Sequence, residues 1–294
     1  MNKLNKLLKE APTLNINNAS KIVIMSDIHR GIGNNSDNFI KNRNIFAAAL
    51  NSYFKKGFIY IELGDGDDMW EVKNYNEIIK EHIDIFKILK KFHQENRLIM
   101  LFGNHDKCKS SKVVLEKYFY QYKNTSTNKE ETLLENVSVK ETILLKFQNH
   151  DLFLVHGHQG DFLNDNLWKL SRFLVRYIWK NLELIGVNDP TSAAKNNKVK
   201  NSVEKRLKKW SLNNQKILIA GHTHRAIYPT PGQSLYFNDG SCVNPDGITC
   251  IEIENSQITL VKWYLNVKED NAIYVERKIM NGPTPILEFF YTNK

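Results

Sequence analysis

An α/β fold built on a mostly parallel sheet is predicted by three observations. Short apolar runs alternate with amphipathic stretches through the first half of the chain. Each apolar run breaks off in a cluster of glycine and polar residues. The 294 residues, 41% hydrophobic, suffice for one large domain with an insertion. Strand–helix alternation is the pattern of crossover-connected parallel strands, which carry their chemistry at their carboxyl ends.

The elements follow in order. Residues 1–10 carry Leu at helical spacing and predict a short surface helix; they lack the apolar core and small-residue cleavage site of a secretory signal. Lys21 to Ser26 predicts a strand ending at Asp27-Ile28-His29. Asp37 to Lys56 predicts a helix with Phe39, Phe46, Leu50, Tyr53 and Phe54 inward. Phe58 to Leu63 is a buried strand that breaks at Gly64-Asp65-Gly66-Asp67-Asp68. Asn74 to Asn96 predicts a helix, and Arg97 to Phe102 a strand ending at Gly103-Asn104-His105-Asp106. Ser111 to Tyr122 predicts another helix, followed by a polar loop over 123–131. Val137 to Phe147 and Asp151 to Val155 predict paired strands, the second ending at His156-Gly157-His158. Residues 161–212 predict a helical insertion lying over the strand ends. Lys216 to Ala220 predicts a strand ending at Gly221-His222-Thr223-His224-Arg225. Leu235 to Val275 predicts antiparallel strands with a turn at Glu254-Asn255-Ser256.

No apolar stretch approaches the roughly 20 residues a membrane helix needs. The three cysteines, Cys108, Cys242 and Cys250, are far apart and in no metal-knuckle spacing, which excludes a disulfide framework and fits a cytoplasmic protein. The net charge of +9 favours anionic partners: phosphate esters, nucleic acid or anionic lipid.

Five predicted strands thus end in residues that can bind metal: Asp27 and His29; Asp65; Asn104; His156; and His222 with His224. One such histidine is most simply a hydrogen-bonded loop residue, but five strand ends in sequence are not a coincidence. Alternating residues such as Asp27/His29 and His222/His224 project to one side of an extended chain. The inventory divides into Asp27, His29 and His224 for one ion and Asn104, His156 and His222 for another, with Asp65 bridging. Carboxylate, amide and imidazole donors suit Mn²⁺ first, with Fe or Zn²⁺ accepted by the same ligands. Two ions held roughly 3.5–4 Å apart suit in-line displacement at phosphorus, with a shared water as nucleophile.

These motifs resemble the calcineurin-like metallophosphoesterase superfamily: Asp27-x-His29, Gly64-Asp65, Gly103-Asn104-His105-Asp106, Val155-His156-Gly157-His158 and Gly221-His222-Thr223-His224, with Asn238-Asp239-Gly240-Ser241 resembling the segment that often follows. The resemblance implies a four-layer αββα sandwich over residues 1–294, with the helical cap inserted at about 161–212. It implies the same ligand roles and a dinuclear metal-dependent phosphoesterase, foremost a phosphatase, using a metal-bridging hydroxide. It further implies that His105 acts as general acid or electrostatic stabiliser at the leaving-group oxygen, oriented by Asp106 or another nearby carboxylate.

Two features bear on the substrate. Asp65-Gly66-Asp67-Asp68-Met69-Trp70 resembles a pattern of the UDP-diacylglucosamine pyrophosphatases, which also carry a helical insertion, but those enzymes usually have Arg where this chain has His105. In the insertion, Arg172 and Arg176 recur at helical spacing with Lys180, and Arg225 follows the last metal histidine. All three arginines are candidates to bind a substrate phosphate. Leu163, Leu167, Trp168, Phe173, Tyr177 and Trp179 offer a face for peripheral membrane contact or for burial. A small phosphorylated molecule is the first expected partner. A nucleic acid is second, since no aromatic-interleaved basic stripe accompanies the charge. A non-catalytic binding platform is last, because such a protein should have lost ligands.

Overall fold

The computed structural model describes residues 2–72, 74–124, 127–160 and 196–291. Two β-sheets face one another. In the larger, β2 (Lys21–Met25), β3 (Ile59–Leu63), β4 (Leu98–Leu101) and β7 (Val139–Lys140) run parallel. They are continued by the antiparallel strands β12 (Ile248–Glu254), β13 (Gln257–Val267) and β14 (Ile273–Pro285), in the order β14-β13-β12-β2-β3-β4-β7. The smaller has the order β1-β8-β9-β10-β11, from β1 (Thr13–Ile16), β8 (Thr142–Phe147), β9 (His150–Val155), β10 (Ile217–Ala220) and β11 (Tyr236–Asn238).

The two-residue period of the strands sorts their side chains. Ile22, Ile24, Ile61 and Leu63 meet Ile143, Leu145, Leu152, Leu154, Ile217 and Ile219 between the sheets. Val23, Met25 and Tyr60 point the other way, onto Phe46, Leu50 and Tyr53 of α2 (Arg43–Lys55) and Phe86, Leu89 and Phe92 of α4 (Ile83–Gln94). Phe153, Leu218 and Tyr236 take the outer face of the smaller sheet. They are covered by Leu4 of α1 (Asn2–Glu10) and by Val203, Leu207 and Trp210 of α6 (Asn197–Asn214). The result is helix, sheet, sheet, helix: the four-layer sandwich that the resemblance implied. Because both faces are buried, the central strands read as unbroken apolar runs.

The structure departs from the sequence reading in several places. Residues 197–214 are not part of a cap over the strand ends but belong to the fourth layer, because Val203, Leu207 and Trp210 form an apolar stripe that a sheet face covers. Helix α1 is likewise tied down by Leu4 and by Asn5, whose Oδ1 accepts from Trp210 Nε1 at 2.7 Å. The helix expected over 74–96 is two helices, α3 (Tyr75–Glu81) and α4, broken at His82. The His82 ring is buried against Asp37 Oδ2 at 3.0 Å, and Asp37 also accepts the amides of Phe39 and Ile40, which delays α2 until Arg43. Helix α5 (Lys112–Tyr118) stops short of a small hairpin, β5 (Gln121–Lys123) with β6 (Glu130–Thr132), where a loop was expected. Strand β11, expected to be antiparallel like the strands that follow it, runs parallel to β10 in the smaller sheet. The turn at Asn255-Ser256 is as read, with both residues at positive φ. No helix among the described residues is long and apolar enough to cross a membrane.

Candidate metal centre

The loops that leave β2, β3, β4, β9 and β10 lie side by side and are laced together by their backbones. The Asp27 amide donates to Gly64 O at 3.1 Å, His29 to Asp65 O at 2.9 Å, and Gly221 to His156 O at 2.9 Å. Asp27, His29, Asp65, His222 and His224 all have φ between 50° and 67°. The chain here is therefore bent rather than extended, and alternation along a strand is not what brings Asp27 to His29 or His222 to His224. Left-handed backbone costs a non-glycine residue roughly 1–2 kcal/mol, and such strain gathers where surrounding structure fixes functional side chains. Gly64 allows the close approach: at φ +94°, a Cβ there would lie 2.8 Å from both Gly103 N and the His156 ring.

Three groups of ligand atoms converge, the atoms within each group lying within 4.8 Å of one another: Asp27, His29 and His224; Asp65, His156 and His222; and His29, Asp65 and His105. Asp27 Oδ1 is 3.0 Å from His224 Nε2, 3.7 Å from His29 Nε2 and 3.9 Å from His156 Nε2. Asp65 Oδ2 is 3.1 Å from His156 Nε2 and 3.9 Å from His29 Nε2. The other oxygens are occupied. Asp27 Oδ2 accepts from Ser26 Oγ and the His222 amide, and Asp65 Oδ1 accepts the His105 amide at 2.8 Å. His156 Nδ1 donates to Leu63 O at 3.0 Å, which leaves the Nε2 lone pair for the centre. Asn104 Oδ1 is buried with no hydrogen-bond donor among the described residues.

Charge points the same way. Burial alone would lower the imidazoles, yet Asp27, Asp65 and Asp68 raise His29 to about 9, and Asp65 and Asp27 raise His156 to about 10. Burial likewise pushes against ionised Asp27 and Asp65, but the surrounding imidazoles hold both carboxyls well below the usual range. A field that holds protons on buried imidazoles favours a divalent cation more strongly. The donors are oxygen and nitrogen with no thiolate, so the residues present fit divalent metal.

Beside the centre, His105 Nδ1 donates to Asp68 Oδ1 at 3.1 Å. Its ring stacks on Trp70 at 4.1 Å and meets His29 edge-on at 4.6 Å. Trp70 is itself pinned by Nε1 donating to Asn104 O at 2.7 Å. The acid that orients His105 is therefore Asp68, not the adjacent Asp106. Asp106 turns inward, where Oδ1 accepts the Gly103 amide at 2.7 Å and Oδ2 the Gly66 amide at 3.0 Å and Lys109 Nζ at 2.6 Å.

Asp106 thereby joins a set of charges that sequence reasoning missed. Arg30 donates to both Glu62 oxygens at 2.9 and 2.8 Å and to Asp67 Oδ1 at 2.6 Å, and Lys109 meets Asp67 Oδ2 at 2.7 Å. All five side chains are fully buried. Burial disfavours each charge, but the opposite charges hold Arg30 and Lys109 above their ordinary values and Glu62 and Asp67 below theirs, Asp67 at about 2. Asp106 is pushed up by burial against the pull of Lys109, with Asp65 and Asp67 adding to the rise. The available signal was Glu62, a charge inside an apolar strand, which must be paired when buried.

Asp239 completes the floor. Its Oδ1 lies 2.7 Å from Ser26 Oγ, and burial together with the Asp27 charge pushes its carboxyl well above the usual range. Ser241 Oγ and the Cys242 amide both donate to Asp27 O, so the segment 238–242 fixes the Asp27 loop. Arg225 points to α6, pairing with Glu204 and donating to Asn201 Oδ1 at 3.0 Å, while Thr223 Oγ1 donates to Glu204 at 2.9 Å. Arg172 and Arg176 lie outside the described residues.

A family model, the calcineurin-like phosphoesterase superfamily domain, matches residues 21–256. A comparison with curated proteins found no match. Among solved structures, the chain is similar to a single mutant of Vps29 from Entamoeba histolytica, with 17% identity over 89% of this chain and 99% of that one and a TM-score of 0.41. It is also similar to a conserved uncharacterized protein, a predicted phosphoesterase, from Streptococcus pneumoniae, with 15% identity over 88% and 97% and a TM-score of 0.34. A cold-active protein-tyrosine phosphatase of Shewanella sp. shows 14% identity over 89% and 81%, with a TM-score of 0.39. The match of the family model across most of the chain places this protein in the calcineurin-like phosphoesterase superfamily, the metal-dependent hydrolases of phosphate esters.

Proposed function

We propose that this protein is a cytoplasmic phosphatase, one domain over its whole length, that uses two divalent ions, foremost Mn²⁺, to hydrolyse a small-molecule phosphate monoester. One observation carries the reading: two ligand groups meet at Asp65 Oδ2 and Asp27 Oδ1, and His105 stands beside them on an acid of its own. Asp27, His29 and His224 would hold one ion, Asn104, His156 and His222 the other, with Asp65 between them. When bound, such ions polarise phosphoryl oxygens and lower the pKa of a water.

The chain's own residues supply the rest. Asp68 carries its charge, burial being outweighed by His105, so His105 Nδ1 bears hydrogen towards it. Trp70 fixes the plane of the ring. His105 Nε2 is then the atom that passes a proton to the departing alkoxide. This accounts for Asp68 and Trp70, the pair that resembles the lipid pyrophosphatases: both serve His105, the residue at which this chain departs from those enzymes. Arg225 would have to leave Glu204 to meet a phosphate, so it is a weaker candidate than its position in sequence suggests.

The reading is tested on metal-loaded protein with a panel: an alkyl monoester, a diester, a nucleotide-diphosphate sugar, single-stranded DNA and a phosphopeptide. Hydrolysis of the monoester ahead of the others is expected; failure on all five with Mn²⁺ present refutes it. His105→Ala should lower turnover of the alkyl monoester by about 10²–10⁴-fold, and far less for a 4-nitrophenyl ester, whose leaving group needs no proton. Equal losses on both would remove the general-acid role. Asp68→Asn should show the same leaving-group dependence with a smaller loss.

A further inference from the structure

Strand β14 forms one edge of the larger sheet among the described residues. Its hairpin with β13 closes by Lys268 N donating to Ala272 O at 2.9 Å and Asn271 N to Lys268 O at 2.9 Å, with Asn271 at φ 65°. From that pair the antiparallel ladder alternates. The backbone groups of Tyr274, Glu276 and Lys278 face β13, and those of Ile273, Val275, Arg277 and Ile279 face the open edge. Large exposed apolar side chains gather here: Leu265 at 52%, Val267 at 58%, Ile273 at 70%, and Ile279 and Met280 each at 45% exposure. Open backbone beside apolar surface is a template for another strand.

We propose that a second copy of this chain occupies the edge, β14 pairing antiparallel with β14 about a two-fold axis at Arg277 to make one continuous sheet. The register is chosen by chemistry. With Arg277 on the axis, Glu276 lies opposite Lys278 of the other copy, Val275 opposite Ile279, and Tyr274 opposite Met280. Within one chain Lys278 faces Lys262 across the ladder, an unfavourable like-charge pair, and no carboxylate lies within 4.0 Å of it among the described residues. Glu276 Oε2 already accepts from Tyr264, Asn266 and Tyr274 of its own chain; its second oxygen, Oε1, is what the other copy offers Lys278, twice per dimer. Arg277 does not repel its twin, because its guanidinium reaches back over β13 to Glu252 at 2.8 and 2.5 Å, away from the edge. Neighbouring registers fail. Centring on Val275 sets Ile273 against Arg277 and Lys278 against Ala272; centring on Ile279 sets Lys278 against Met280 and brings in Pro283, which has no N–H to donate.

The test is the mass of the full chain by light scattering across micromolar concentrations, with a pair of charge variants. Wild type should run at twice 34.3 kDa. Lys278→Glu and Glu276→Lys should each weaken the dimer at least tenfold, and an equimolar mixture of the two should form a heterodimer, since each chain then supplies what the other lacks. Hydrogen exchange should show the amides of Val275, Arg277 and Ile279 gaining protection with protein concentration, a readout that does not depend on any variant folding. A monomeric wild type, variants that dimerise as well as wild type, or edge amides indifferent to concentration would overturn the proposal.

Discussion

Asp65→Asn should leave the fold intact and lower turnover by at least ~10³-fold, about 4 kcal/mol of transition-state stabilisation. The substitution keeps the shape of the side chain. Its amide oxygen can still accept the His105 amide, as Asp65 Oδ1 does at 2.8 Å. That leaves the NH₂ group where Oδ2 stands, 3.1 Å from His156 and 3.9 Å from His29. A donor without charge then occupies the position that both ligand groups share. Metal content by elemental analysis should fall by at least one ion per chain relative to wild type, with an unchanged far-UV spectrum. Two retained ions and wild-type turnover would show that Asp65 does not bridge.

Lys109→Met should destabilise the fold by about 3–5 kcal/mol, the usual cost of removing one partner from a buried ion pair, and lower the melting midpoint by roughly ten degrees. Lys109 is fully buried and meets Asp67 at 2.7 Å and Asp106 at 2.6 Å. Without it, Arg30 alone faces Glu62 and Asp67, and Asp106 loses its cation. Asp106, already raised by burial, then rises further and takes up a proton, weakening its hold on the Gly66 and Gly103 amides that shape the Asp65 and Asn104 loops. Turnover should therefore fall along with stability. Lys112→Met is the control: Lys112 is exposed and, among the described residues, paired only with Glu116 one turn on, so its loss should cost under about 1 kcal/mol. Equal melting curves for the two variants would mean that Lys109 carries none of the stability assigned to it.

The convergence of the candidate ligands was legible because each sits at the tip of a strand and strand tips are written locally: an apolar run, then a glycine or a polar break, then Asp, Asn or His. The same locality made the layered α/β architecture legible, since strands buried on both faces read as uninterrupted runs. The local rule behind one inference was nonetheless mistaken. Asp27 and His29 converge through left-handed backbone bends rather than through extended alternation.

The partners of the site residues were not legible. Asp106 adjoins His105 in sequence, but the bend after Asn104 sends it to Gly66, Gly103 and Lys109, while Asp68, thirty-seven positions earlier, reaches the imidazole. Residues 197–212 read as the end of a basic cap over 161–212 because the stretch 191–209 is dense in lysine. Three apolar side chains at helical spacing decided instead that the helix covers a sheet. The sequence by itself determined at which strand ends the candidate ligands sit, because composition at a strand terminus is a property of neighbouring positions. Only the tertiary structure decided which carboxylate meets His105 and which charges lock the Asp65 loop, because hydrogen-bond partners are fixed by segments that meet only once the two sheets have packed.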